Sequence, residues 1–217
     1  MALIWNGEQI PCEAHVIDWR SSGIEYTRDD PGCGKRKKPP ALFVVHYTGA
    51  ENSPPVVYKN LLKARKSVEF SMDYHGQIWQ FCDPAKVFCA HAKGANTFSF
   101  GMEIQSRGLA APFTHNATTY PRGTYAADMP WGKQSYVFFT KDQLDALCQF
   151  VDALIQARII PAKGLAMAKK DIKKRIRPGD WSKLKGVAGH YHVDTEPGKI
   201  DPGPHVFEEL WMHLNEV

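Results

Sequence analysis

The stretch ALFVVHYT, residues 41–48, entered from Pro39-Pro40, decides the fold. Its apolar residues follow one another without alternation, which suits a short strand covered on both faces, as in the middle of an α/β sheet. The run then ends on His46. A polar side chain buried there without a partner would cost about 1 to 3 kcal/mol, so the imidazole either opens onto a cleft or is paired.

Further elements can be placed on either side of this strand. Ser53 followed by Pro54-Pro55 reads as a cap with proline in the first turn of a helix that gathers Val57, Leu61 and Leu62 on one side. EFSMDY and QIWQF flank His75-Gly76 as the arms of a hairpin, with glycine supplying the positive φ of the turn. FSFGMEIQ (98–105) is a further strand. The segment 106–133 shows no clear periodicity and reads as a long surface excursion. Thr140 and Gln143 form a capping box ahead of Leu144, Leu147, Cys148, Val151, Leu154 and Ile155 at helical spacing. A short helix is expected within 166–176, stopped by Pro178-Gly179; VAGH (187–190) reads as a second buried strand and VFEELWMHL as a closing helix. This order of elements predicts an α/β fold with a central mixed β-sheet flanked by helices.

The 217 residues can fill one core, so a single domain is expected. With 43% hydrophobic and 23% charged residues, wholesale disorder and fibrous architectures are excluded. No apolar run approaches the ~20 residues of a membrane span, and the start MALIWNGEQIPCEAH lacks the basic and apolar segments of a secretory signal. Synthesis in the cytoplasm without a signal peptide is therefore expected, with no membrane partner. Five cysteines without a CxxC pair read as reduced, packed thiols. The net charge of +4 is concentrated in GKRKKPP (34–40) and in 163–185; these stretches lack aromatic interleaving, so nucleic acid is not an expected partner. Attraction to anionic polymers is the alternative use for those lysines.

The chemistry gathers in GHYHVDTEPGKIDPGP, residues 189–204. His190 ends the VAGH strand as His46 ends the first. If the two strands are neighbours, both imidazoles leave the sheet at one edge, where Asp201 can arrive on the Gly/Pro-rich loop. Two imidazoles and a carboxylate with a fourth position open are the donor set of a catalytic zinc site. Glu103 alternates with Met102 and Ile104, so it faces away from them and is a candidate proton carrier, although a solvent-facing glutamate would show the same pattern. Lys199 precedes Asp201 by two positions and on extended backbone projects to the same face, where its ammonium could meet an oxyanion.

Taken in order, HYTGA (46–50), DYHGQIWQF (73–81), HAKGAN (91–96), FSFGMEIQ and the 189–204 stretch resemble the zinc-dependent N-acetylmuramoyl-L-alanine amidases of type 2, relatives of peptidoglycan recognition proteins. The resemblance runs from about 41 to 210 and leaves 106–134 and 160–186 as long insertions. It implies one catalytic Zn2+ held by His46, His190 and Asp201, with Glu103 and Lys199 as catalytic residues and His91 and Asn96 as substrate-binding residues. It implies hydrolysis of the amide between N-acetylmuramic acid and L-alanine of the stem peptide, with peptidoglycan or muropeptides as partner. A monomer is expected, acting on the cell wall after release, as a phage endolysin does, in bacterial wall remodelling, or in cytosolic recycling of anhydromuropeptides. Two departures stand out. Glu69 occupies the position where the family's Ser-x-His pattern has histidine, and one extra residue between His190 and Lys199 makes His192 an alternative metal ligand. A recognition protein that binds muropeptides without cutting them is the competing reading, and the presence of Asp201 argues against it.

Overall fold

The structure, a computed structural model, describes residues 1–108, 124–194 and 199–215. Along the chain the elements are β1 (Ala2–Trp5), β2 (Glu8–Pro11), β3 (Val16–Asp18), α1 (Trp19–Ser22), β4 (Cys33–Lys35), β5 (Leu42–Tyr47), α2 (Pro54–Lys63), β6 (Phe70–Met72), β7 (Ile78–Gln80), β8 (Val87–Cys89), β9 (Ser99–Ile104), β10 (Thr124–Met129), β11 (Gly132–Val137), α3 (Lys141–Gln156), β12 (Gly186–Gly189) and α4 (His205–Asn215). The central sheet has six strands in the order β12-β5-β9-β6-β7-β3. Only β6 and β7 run antiparallel; all other neighbours are parallel, so the sheet is mixed.

β5 is buried on both faces, as its unbroken apolar run requires. Phe43 and Val45 point into the main core with Phe100 and Met102 of β9 and Phe150 and Leu154 of α3. The rings of Phe43 and Phe100 stack at 5.1 Å and Phe150 meets Phe70 edge-on at 4.9 Å. Burying each such side chain contributes about 1.5 to 3 kcal/mol. On the other face Leu42 and Val44 pack with Ala92, Ala95, Trp181 and Ala188 in a smaller cluster. His46 follows Leu42 and Val44 in parity, so it stands on this second face, away from α3.

α3 begins at the expected capping box: the Thr140 hydroxyl accepts from Gln143 N–H, and Gln143 Oε1 accepts from Thr140 N–H. The 75–76 hairpin is present as β6 and β7, with Gly76 at φ +75°. All five cysteines are free thiols.

Four details differ from expectation. Ser53 sits at the N-cap of α2 with extended backbone, yet its side chain makes no capping bond. Pro54 and Pro55 remove the first two amide donors, and the third, Val56 N–H, bonds the Ser53 carbonyl instead. The end of the 106–133 excursion forms β10, paired as a hairpin with β11, and its buried positions Ala127 and Met129 alternate with exposed Ala126 and Asp128. Residues 166–176 hold only a 3-10 turn, Lys169–Asp171; at its start 164–166 pair with the sheet, Ala166 N–H donating to the Val187 carbonyl and Val187 N–H to that of Gly164, and at its end Ile176 N–H donates to the His192 carbonyl. Pro178 opens a second 3-10 turn, Pro178–Lys183, instead of ending a helix. The strands β1 to β4 add to the N-terminal region, where no element was assigned from sequence.

Candidate active site

β12 and β5 are neighbours, parallel, with Gly189 opposite Val45. One residue further on, His190 and His46 therefore leave the sheet side by side. Gly189 is required at this corner, since a Cβ there would lie 2.8 Å from the Pro202 ring and 3.0 Å from Phe207. That close approach brings in the ligand loop. Tyr191 N–H donates to the Asp201 carbonyl and an Arg175 guanidinium nitrogen to that of Lys199, pinning 199–201 beside the histidines.

Three atoms converge as a result. His46 Nδ1 lies 3.0 Å from His190 Nδ1 and 3.2 Å from Asp201 Oδ2, and His190 Nδ1 lies 3.1 Å from the same oxygen. Two imidazole nitrogens and a carboxylate oxygen facing one point repel one another unless a proton or a metal cation sits among them. For Zn2+ at about 2.0 to 2.1 Å in tetrahedral geometry the ligand atoms stand about 3.3 Å apart, so the donor set fits by both chemistry and spacing. Among the described residues, this is the group of His, Cys, Asp and Glu side chains found close enough to hold an ion. Burial, followed by the neighbouring His190, pulls His46 down to about 4, so its imidazole is neutral at physiological pH, the form a metal ligand needs. Burial works against charge on Asp201, but in the metal-free chain the two imidazoles, where a proton on the ring nitrogen faces the carboxylate, outweigh it and hold the carboxyl well below its usual range.

β9 supplies the candidate proton carrier. Its register sets Glu103 beside His46, on the face opposite Phe100, Met102 and Ile104. Glu103 Oε2 is fully enclosed and has no hydrogen-bond partner among the described residues. Burial, with the negative charge of Asp201 second, raises its carboxyl to about 8, against the opposing pull of Lys199 and Lys66. Glu103, Lys199, Lys66 and the three ligands line one open cavity of about 350 Å³.

Residues 36–204 match the sequence family described as N-acetylmuramoyl-L-alanine amidase. The chain belongs to that family. As an N-acetylmuramoyl-L-alanine amidase it is a peptidoglycan hydrolase that cleaves the amide between N-acetylmuramic acid and L-alanine. Solved structures agree in fold. An N-acetylmuramoyl-L-alanine amidase LysC from Clostridium intestinale URNW is 16% identical, covering 92% of this chain and 97% of its own, with a TM-score of 0.51. The endolysin of Thermus scotoductus bacteriophage Ph2119 is 12% identical over 90% and 98%, with a TM-score of 0.52. An AmpD derivative is 17% identical over 93% and 94%, with a TM-score of 0.50. Comparison with curated proteins gives no match.

The remaining site residues of the amidase divide. His192, the alternative ligand, has both ring nitrogens engaged: Nδ1 accepts from Gly189 N–H at 2.8 Å and Nε2–H donates to the Ile172 carbonyl at 2.7 Å. Buried and neutral, with its ionisation pushed down to about 3, it fastens the turn after β12 and leaves no nitrogen for a metal. His91 borders the cavity, but its ring is 1% exposed and lies against His46. Asn96 Oδ1 accepts from His91 N–H and Ala92 N–H and lies outside the cavity lining. Sequence reasoning overlooked Asp194, whose Oδ2 is 3.3 Å from His190 Nε2, and Arg36, buried beneath the site against Glu69. The four-residue spacing of His190 and Asp194 within a tight turn was the available signal; for Arg36 there was none, because it lay in a run of solvated-looking bases.

Proposed function

We infer that the amidase works with one Zn2+ held by His46 Nδ1, His190 Nδ1 and Asp201 Oδ2, with Glu103 moving the proton and Lys199 meeting the developing charge. The observation that carries this is the convergence of the three donor atoms, 3.0 to 3.2 Å apart, beside an unpartnered glutamate on the same face of the sheet. The bound ion supplies a Lewis acid that acidifies water and polarises a carbonyl oxygen. The chain's own groups do the rest. Glu103 Oε2 accepts a proton from the water that attacks the lactyl carbonyl and returns it to the departing amine of L-alanine. A carboxyl raised to about 8 when metal-free is suited to hold a proton at neutral pH, and a cation nearby draws it toward the basic form. Lys199 lines the same cavity, and its ammonium would stabilise the carbonyl oxygen as it turns anionic.

Glu103→Gln keeps the shape and removes the base. It is expected to retain zinc by elemental analysis and to lose about 10²- to 10⁴-fold in turnover on purified peptidoglycan. Full activity in that variant removes Glu103 from the mechanism. A purely recognising role is disfavoured because Asp201 completes the donor set. For biological setting, a wall-lytic enzyme, a phage endolysin or a bacterial cell-wall amidase, is our reading, with muropeptide recycling as the alternative. Comparing rates on intact sacculi and on soluble 1,6-anhydromuramyl peptides separates the two, and a strong preference for the soluble substrate would reverse the choice.

A further inference from the structure

We propose that His91 is a positioning residue for the metal ligand His46, and that Ser99, Glu69 and Arg36 hold His91 in the one tautomer that serves this purpose. The proposal rests on the zinc reading above and concerns what stands behind the ligands. For His46 Nδ1 to offer its lone pair to a metal, its proton must be on Nε2. That nitrogen lies 3.0 Å from His91 Nδ1. His91 must then accept at Nδ1 and carry its own proton on Nε2.

The far side of the His91 ring imposes the same arrangement without any metal. Ser99 Oγ is 3.3 Å from His91 Nε2. Its hydroxyl hydrogen is already given to the Ala95 carbonyl, at 2.8 Å, so it presents a lone pair to the imidazole. Behind it stands Glu69, with Oε2 3.9 Å from the same nitrogen. Both ends of the ring therefore call for a proton on Nε2.

Glu69 is fixed in turn. Its Oε1 accepts from Arg36 at 2.8 Å and its Oε2 from Gly101 N–H at 2.8 Å. Arg36 is pinned by the carbonyls of Val87, Asn96 and Ser99. A carboxylate at position 69 can accept from guanidinium and amide together, whereas a histidine there would bring a competing donor to the guanidinium. The ring has little freedom to move. Asn96 Oδ1 clamps the His91 backbone, and Gly101 leaves room for the imidazole, since a Cβ at 101 would lie 2.6 Å from His91 Nδ1. The two ligand histidines are thus supported differently: His190 Nε2 faces the Asp194 carboxylate directly, while His46 is backed through a second imidazole.

The test is zinc affinity by competition with a chromophoric chelator at neutral pH, with circular dichroism as a fold check. Removing a partner that orients a metal ligand typically weakens binding about 10- to 100-fold, and this is expected for His91→Phe. His91→Asn places an amide oxygen where Nδ1 was and can accept the same hydrogen, so it should recover most of the affinity. Wild-type affinity in His91→Phe, or an Asn variant no tighter than Phe, overturns the proposal. Nitrogen-15 spectra of the metal-free wild type provide a readout that needs no variant. They should show His46 and His91 both protonated on Nε2, and protonation of His91 on Nδ1 overturns the relay even where zinc binds. A wild-type protein that binds no zinc overturns the metal reading itself, and the relay with it.

Discussion

His205 opens α4, directly after the Asp201 loop, and is 3% exposed. Its ring is enclosed by Tyr125, Tyr136, Phe138 and Phe139 at centroid distances of 5.3 to 6.2 Å. Neither ring nitrogen has a hydrogen-bond partner among the described residues. Burial alone moves its ionisation from 6.5 down to about 4. The unfolded chain therefore binds a proton at this residue across pH 6.5 to 4 where the folded chain does not, so stability is full above 6.5 and falls as the pH is lowered toward 4. Between pH 7.5 and pH 5.5 the loss from this one residue is about 1.3 kcal/mol, and it approaches about 3 kcal/mol below pH 4. His205→Phe suits the aromatic surroundings and deletes the titration. Urea unfolding of the metal-free wild type and variant should show the stability difference shifting by about 1.3 kcal/mol in the variant's favour between pH 7.5 and 5.5. Using the difference cancels other titrating groups, such as His192. A difference that stays flat with pH would refute the claim that His205 is folded as a neutral, unpaired imidazole.

Other expectations follow from the same physical chemistry. Arg36→Met strands the Glu69 carboxylate in the interior and should cost about 3 to 5 kcal/mol by urea unfolding, whereas Arg36→Met combined with Glu69→Leu should regain much of it; a double variant as unstable as the single would argue against an uncompensated charge. Gly101→Ala drives a methyl group against His91 and should destabilise by about 1 to 3 kcal/mol while weakening zinc binding; unchanged values for both would mean the ring has space to retreat. Asp201→Ala removes one of three donors, and zinc content by elemental analysis should fall well below that of the wild type, an unchanged stoichiometry excluding Asp201 as a ligand.

Local sequence determined what local physics controls. The unbroken apolar run of β5 required cover on both faces, the Thr140–Gln143 pair required a helix start, and the alternation around Glu103 set it opposite Met102 and Ile104. Family motifs carried His46, His190 and Asp201 as a set, because each keeps its place relative to a strand end or a Gly/Pro-rich loop. Periodicity failed where backbone groups are spent on distant partners, as around 164–176, where Gly164 and Ala166 pair with Val187, the Ile172 carbonyl accepts from Tyr191 and His192, and Ile176 N–H donates to the His192 carbonyl. Only the tertiary structure decided which histidine after β12 meets His46 and Asp201: His190 and His192 are two residues apart, chemically alike and both buried, and the Gly189 and Ile172 backbone groups occupy His192. It also decided that His91 stands against His46 and that Arg36 is buried against Glu69. The physical reason is separation along the chain. His46 meets His190 across 144 positions and Arg36 meets Glu69 across 33, contacts that strand order and register create and that residue pattern within a single segment does not encode.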